Sequence, residues 1–270
     1  MKTENSFIVS VLISALMVSS FFGIALAGRT DLIPDPRLAE AISDELGVPA
    51  EEITPYHLLD LTELEAGGVK NLAGLLHAEN LEKLTLKRLD HFARLEIVFE
   101  LEELETLSVS NSRLRGMDIE EVSQLEELEE LRLEGNKINQ LPSLVGFGEL
   151  EFLSLRNNEI VAIDELKELR SIKVLNLSNN HIKDLSPLVE LTRLHKLDLS
   201  GNRITELSPL LRNKGLGKGD VIYLQNNFLD FSPDSQDHEN VKKLKAREIE
   251  ITCLPQRTQK RRANFGQESN

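Results

Sequence analysis

Between Leu81 and Leu229 the apolar and polar positions follow one pattern seven times: LxxLxLxx or a close variant, a fixed slot, and soon another apolar residue. The clearest copies are LEELRLEGNKI from Leu128, LEFLSLRNNEI from Leu150, IKVLNLSNNHI from Ile172 and LHKLDLSGNRI from Leu194. Their slots, Asn136, Asn158, Asn180 and Asn202, recur every 22 residues. Strand side chains alternate with period two, so Leu153 and Leu155 are expected to enter an interior while Ser154 faces out. One such strand cannot bury itself. Units stacked side by side can, because their strands pair edge to edge and share a continuous apolar column, stabilised by about 25 cal/mol per Å² removed from water.

The slot falls where the chain leaves the strand and backbone groups lose their ladder partners. An amide side chain carries both donors and an acceptor, so the recurring Asn predicts a buried, hydrogen-bonded ladder. After Asn180 the apolar residues Ile182, Leu185, Leu188, Leu191, Leu194 and Leu197 keep a period of three. That period suits short 3₁₀ turns or extended chain better than a long helix. A bundle or coiled coil built from Leu and Glu would instead space its apolar residues by three and four. Leucine makes up 49 of the 270 residues, aromatics only 4%, and Trp is absent, which fits a thin repeated core needing one modest side-chain volume. The pattern is that of a leucine-rich repeat solenoid, an α/β repeat with a curved parallel sheet on its concave face.

Toward both ends the register holds while the letters decay. The earlier slots are Leu89 and Ser112, followed by steps of 23 and 24 residues, and the last is Asn227, reached by a step of 25. Leu89 cannot hydrogen-bond through its side chain, so its turn is expected to use water or Asp90, with irregular chain from Arg88 to Ile97. Ahead of the repeats, Leu38, Ala41, Ile42 and Leu46 have helical spacing, with Pro36 suited to the first turn and Gly47 to the stop. This predicts an N-terminal capping helix, followed by a half-repeat with Leu61, Leu64, Ala66 and Val69 in core positions. Beyond the repeats, a helical turn is expected over Val241 to Ala246 and a closing strand over Glu248 to Thr252, which would cover the last open sheet edge. The expected division is a signal peptide over 1–27, cap and half-repeat over 28–80, repeats over 81–240, a C-terminal strand cap over 241–254 and a basic disordered tail over 255–270.

The N-terminal cap, the units containing IKDLSPL and ITELSPL, the segment GLGKGDVIYLQNNFLD and the closing LKAREIEIT resemble bacterial internalin-like leucine-rich repeat proteins, from about Leu32 to Thr252. The resemblance implies an exported or cell-surface protein whose curved sheet binds another macromolecule without catalysis. Two departures stand out: Phe228 where that family usually has Pro after the last Asn-Asn pair, and the divergent units around Leu89 and Ser112. The repeated letters are framework positions, so the resemblance names no ligand.

Lys2, the mostly apolar run from Phe7 to Phe22 and the small residues of Ala25-Leu26-Ala27 have the form of a secretory signal cleaved before Gly28. An uncleaved anchor is the alternative, since the run approaches the roughly 20 residues a span requires. Cys253, the single cysteine, has no internal partner and reads as a small, partly buried apolar residue beside the closing strand.

The net charge of −14 is uneven. Residues 100–130 carry eleven acids against Arg113 and Arg115, while residues 241–270 carry eight Lys or Arg against three Glu. An acidic body argues against nucleic-acid binding. The tail, with Arg257, Lys260, Arg261 and Arg262, reads as a solvated end, or else as a contact for an anionic envelope surface. Membrane contact is therefore expected only through the signal segment or this tail.

Outward-facing strand positions fall into three columns, and a protein or peptide ligand is expected on Arg132, Phe152, Ser154, Arg156, Val174, Asn176, Lys196, Asp198 and Tyr223. Exposed aromatics and Arg carry binding energy where water is excluded, and small residues at Ser154, Ser178 and Ser200 would admit a partner close to the sheet. The bland alternative is that Phe152 and Tyr223 only cover neighbouring repeats.

No catalytic, metal or cofactor site is expected. The six histidines form no HExxH pattern. In KGLGKGD, Lys218 is followed by Gly219 instead of Ser or Thr, so the segment reads as an insertion lengthening the final repeat, not a phosphate loop. Asp230, Asp234, Asp237 and Glu239 do not match a calcium loop. The leading function is a binding module. A structural envelope component acting by self-assembly or surface-polymer contact is the alternative, and an enzyme is the least favoured class.

Overall fold

Asp35 starts the first helix, α1 (Pro36–Leu46), with extended backbone and a carboxylate that accepts from the N–H groups of Arg37 and Leu38. The computed structural model describes residues 32–90 and 93–257. Leu38 and Ile42 bury the inner face of α1, and Gly47 ends it at φ 65°. The second oxygen of Asp35 accepts from Lys70 N–H at 2.6 Å and Asn71 N–H at 3.1 Å, fastening the cap to the first coil. A short helix, α2 (Pro55–Leu58), follows, capped by Thr54.

Nine parallel strands then form one sheet in strict chain order: β1 (Glu63–Gly67), β2 (Lys83–Lys87), β3 (Thr106–Ser110), β4 (Glu130–Arg132), β5 (Phe152–Ser154), β6 (Val174–Asn176), β7 (Lys196–Asp198), β8 (Val221–Tyr223) and β9 (Glu250–Thr252). The register is invariant, with Leu107, Leu131, Leu153, Leu175 and Leu197 paired in one row. That row and the next, which includes Leu133, Leu155, Leu177 and Leu199, are buried in a single apolar column running from α1 to the C-terminal cap. The segment expected as a half-repeat supplies a full strand, β1, and its Leu61, Leu64, Ala66 and Val69 are all buried.

The return paths are the short turns that a period of three predicts. 3₁₀ segments occupy Ala73–His77, Leu95–Glu100, Asp164–Glu168 and Ser186–Glu190, and the return path after β7 widens into α3 (Ser208–Arg212). Strands lie about 4.8 Å apart, whereas a 3₁₀ turn needs more room. Stacking therefore bends the solenoid with the sheet on its inner, concave wall.

The Asn slots form the expected ladder. Asn158 Nδ2 donates to the carbonyls of Leu133 (2.9 Å) and Leu155 (3.0 Å), and its Oδ1 accepts from Ile138 N–H at 3.0 Å. Asn180, Asn202 and Asn227 repeat this pattern, each spanning its own coil and the one before. A second ladder lies beside it. The residue just before each slot, from Gly68 through Arg88, Asn111, Gly135, Asn157, Asn179 and Gly201 to Asn226, has a positive φ between 53° and 72°. Asn and Gly reach that left-handed conformation at least cost, which explains the NN and GN pairs.

Where the slot is Leu89, the next coil supplies a partner that the sequence reading does not name. Leu89 stays in the core, and its N–H donates to the hydroxyl of Ser112 one coil later at 3.0 Å, so the neighbouring slot caps this turn. Phe228, at the position of the expected Pro, donates its N–H to the Ile204 carbonyl at 3.0 Å, continuing bonds made by Glu159, His181 and Arg203 in earlier coils. Proline has no N–H to give.

The C-terminal helix, α4 (Gln236–Lys245), is longer than the turn expected at Val241 to Ala246 and begins inside the stretch expected to belong to the repeats. Ser235 caps it, and Asp237 and Glu239 occupy its first turn, where the helix dipole favours acids. Burial pushes the Asp237 carboxyl up, with the Asp230 and Glu206 carboxylates acting in the same direction. These acids thus start a helix, while Asp230 takes up Ser232 N–H. Glu248, at φ 64°, turns the chain into β9, which starts two residues later than expected. Cys253 is half-buried against the core. The predicted signal peptide and most of the basic tail lie outside the described residues.

Candidate functional site

Because core leucines occupy alternate strand positions, the residues between them line the concave wall. The structure brings Arg132 and Phe152 together there. The Arg132 guanidinium lies over the Phe152 ring, 4.0 Å from its centroid, and is ion-paired with Glu130 on its own strand, while Glu134 stands 3.9 Å away. A cation on an aromatic face is attracted by the ring quadrupole, and the paired carboxylates hold it there. Strand register places Val174 beside Phe152, Lys196 beside Val174, and Val221 beside Lys196. Phe152, Val174, Val221 and Tyr223 are all half-buried, making a broken apolar strip with solvent on one side. Arg156 follows β5 and is exposed, and the ladder continues past it because its carbonyl accepts from Gly135 N–H at 3.0 Å.

Other residues expected in the site have work inside the fold. Ser154 and Ser178 are each only 2% exposed, so their neighbours cover them and they offer almost no surface to a partner. The Asn176 side chain accepts from the N–H and hydroxyl of Ser178 at 3.0 and 2.7 Å. Asp198 does the same for Ser200 at 2.9 and 2.6 Å. Both close local turns after their strands, a use of Asn and Asp that a column of outward positions does not reveal.

At the N-terminal end of the wall the charges are paired across strands. Lys83 meets Glu63 at 2.6 Å, and Lys87 meets Glu65. The hydrogen bond and charge of Glu63 raise the Lys83 ammonium above its ordinary value.

Sequence reasoning missed the constructions that hold the C-terminal end. Asn213, fully buried, donates to the Leu188 and Leu191 carbonyls and accepts from Gly215 and Leu216 N–H, bracing the insertion against the previous coil. A side chain on Gly215 would collide with the Thr192 carbonyl, 1.9 Å from where its Cβ would stand, so that glycine permits a backbone approach. Asp220 accepts from Gly217 N–H at 2.7 Å and lies 3.0 Å from His195 Nδ1, so it ties the glycine segment to the start of β7. The pair resembles part of a catalytic relay, but its geometry serves the insertion that the glycine spacing predicts. Among the described residues no group of three or more His, Cys, Asp or Glu side chains is placed to hold a metal ion.

Comparison with known proteins agrees with this architecture. Residues 102–160 match the family profile "Leucine rich repeat", and residues 148–190 and 170–213 match "Leucine Rich repeats (2 copies)". No curated protein sequence matches significantly. Among solved structures, an internalin C2 from Listeria monocytogenes superposes with a TM-score of 0.68 at 24% identity, over 84% of this chain and 97% of that one. An internalin inlF from the same species superposes with a TM-score of 0.63 at 21% identity, over 87% of this chain and 74% of that one. The chain is an internalin-like leucine-rich repeat protein in fold. Among the described residues no helix is long and apolar enough to cross a membrane.

Proposed function

We propose that this is an exported, non-catalytic binding protein whose concave sheet holds a protein or peptide partner. The observation that carries the reading is the stack of Arg132 on Phe152 beside Val174, a preordered aromatic and aliphatic patch on an open wall. Framework polar groups are consumed by the Asn ladder, whereas this patch is held in place yet faces solvent. Large side chains fixed before binding lose little entropy on contact, which is how a few residues come to carry most of an interface's energy. Export is read from the form of residues 1–27, and the non-catalytic reading from a sequence in which neither the histidines nor KGLGKGD form a catalytic or phosphate motif.

The test is capture of a partner by cross-linking in the native envelope, compared with the Phe152→Ala and Arg156→Ala variants. Each is expected to weaken capture by more than about 1 kcal/mol. Capture unchanged by both would reject the concave wall as the binding face. Concentration-dependent self-assembly in light scattering, with no partner present, would instead favour a structural component of the envelope.

A further inference from the structure

We infer that the partner is an acidic protein segment carrying an apolar side chain, and that it seats on the wall between β5 and β8. This rests on the concave-wall reading and narrows it. The chain is strongly acidic as a whole, yet its charge reverses along one edge of the solenoid. Where the chain runs into β3, β4 and β5, the exposed residues include Glu102, Glu103, Glu126, Glu127 and Glu149. At the matching positions before β6 and β7 stand Arg170, Ser171, Thr192 and Arg193, and in the next row Lys173 follows the acids Glu105, Glu129 and Glu151. Across the reversal Lys173 pairs with Glu151 at 2.5 Å.

The wall follows the same polarity. Lys83 and Lys87 are neutralised by Glu63 and Glu65, and Arg132 by Glu130. Arg156 and Lys196 are exposed and form no ion pair among the described residues. They flank Phe152 and Val174, so the apolar patch is bordered by the unspent cations of the sheet. A ligand with an apolar side chain on Phe152 and Val174 would place adjacent carboxylates near Arg156 and Lys196. The acidic edge over β3 to β5 would repel the same ligand and fix its position along the wall. Screening within about 8 Å at physiological salt lets these local cations outweigh the distant acidic half.

The experiment uses two end-blocked fluorescent peptides, one with a central Phe among Glu residues and one with Lys replacing Glu, followed by anisotropy with the intact protein. The acidic peptide is expected to bind at least about tenfold more tightly than the basic one. Joint reversal by Arg156→Glu and Lys196→Glu is expected to invert that preference, and Lys83→Glu to leave it unchanged, with thermal melting showing that each variant is folded. Absence of binding by the acidic peptide, equal binding by both peptides, or equal binding by a polyglutamate lacking Phe overturns the inference. If Phe152→Ala weakens both peptides but the preference runs the wrong way, the acidic partner is rejected and the concave wall stands. If acidic-peptide binding ignores both Phe152→Ala and the charge reversal, the concave reading falls as well.

Discussion

Asn180 donates from its amide to the Leu155 carbonyl at 2.9 Å, joining positions 25 residues apart, and to its own coil at the Leu177 carbonyl. Its oxygen takes the N–H of Ile160. Asn180→Ala would strand these three buried groups, so unfolding in urea should show a loss of about 3 kcal/mol or more. Asn179→Gly, next to it, keeps the left-handed backbone and removes only an exposed bond to Asn157, and should cost less than about 0.5 kcal/mol. Equal losses from the two variants would reject the ladder as a main source of cohesion.

Arg88 occupies the left-handed position, at φ 53°, that other coils give to Asn or Gly. Left-handed backbone costs an ordinary L-residue about 1–2 kcal/mol, and Asn less. Arg88→Asn should therefore raise the midpoint of thermal unfolding by about 2 °C. In the opposite sense, Gly201→Ala should lower it, because the added Cβ would stand 2.1 Å from Asn179 Oδ1 at a φ of 72°. A lower midpoint for Arg88→Asn would show that the arginine contributes something the turn geometry does not.

Asp35 accepts from four backbone N–H groups, two opening α1 and two on the first coil, and so links them. Burial raises its carboxyl, but the bonds from Lys70, Arg37, Leu38 and Asn71 outweigh that and hold it below the ordinary 3.8. A depressed acid contributes stability that is complete above the unfolded value and is lost as pH falls through the folded one. Acid titration of unfolding should show this loss below about pH 4, and Asp35→Asn should remove that part of the slope. At neutral pH Asp35→Ala should cost about 1–2 kcal/mol as a lost cap. Identical acid profiles for the wild type and Asp35→Asn would contradict the assignment.

Arg247 grips the final repeat from the C-terminal cap, donating to the Leu211 carbonyl at 2.6 Å and the Asn213 carbonyl at 3.0 Å. Lysine cannot span two acceptors with a planar fork. Arg247→Lys should therefore lose about as much stability as Arg247→Ala, roughly 2 kcal/mol, and hydrogen exchange at β9 should accelerate in both. Full protection in the lysine variant would show that charge alone holds the cap.

Much of this molecule was legible because its repeats report the same physics many times. A lone LxL says little, whereas Asn at four positions 22 residues apart can only be a stacked turn, and each slot bonds as that spacing requires. The meaning of Asn157 and Asn179, one position earlier, was less visible. Their side chains are exposed, and only their backbone conformation explains them. The candidate site was legible in part. Alternation places Phe152 and Arg132 on the open wall, but it cannot tell that Ser154 is covered or that Asp198 is occupied with Ser200.

By itself the amino-acid order determined the coil, its period, its apolar column and which side of each strand meets water, since these follow from local alternation and a recurring need to satisfy turn groups. Tertiary structure alone decided which outward residues remain free to bind, because charges from different coils meet only once the strands are in register. Lys83 is spent on Glu63, twenty positions away, while Arg156 and Lys196 are left facing solvent.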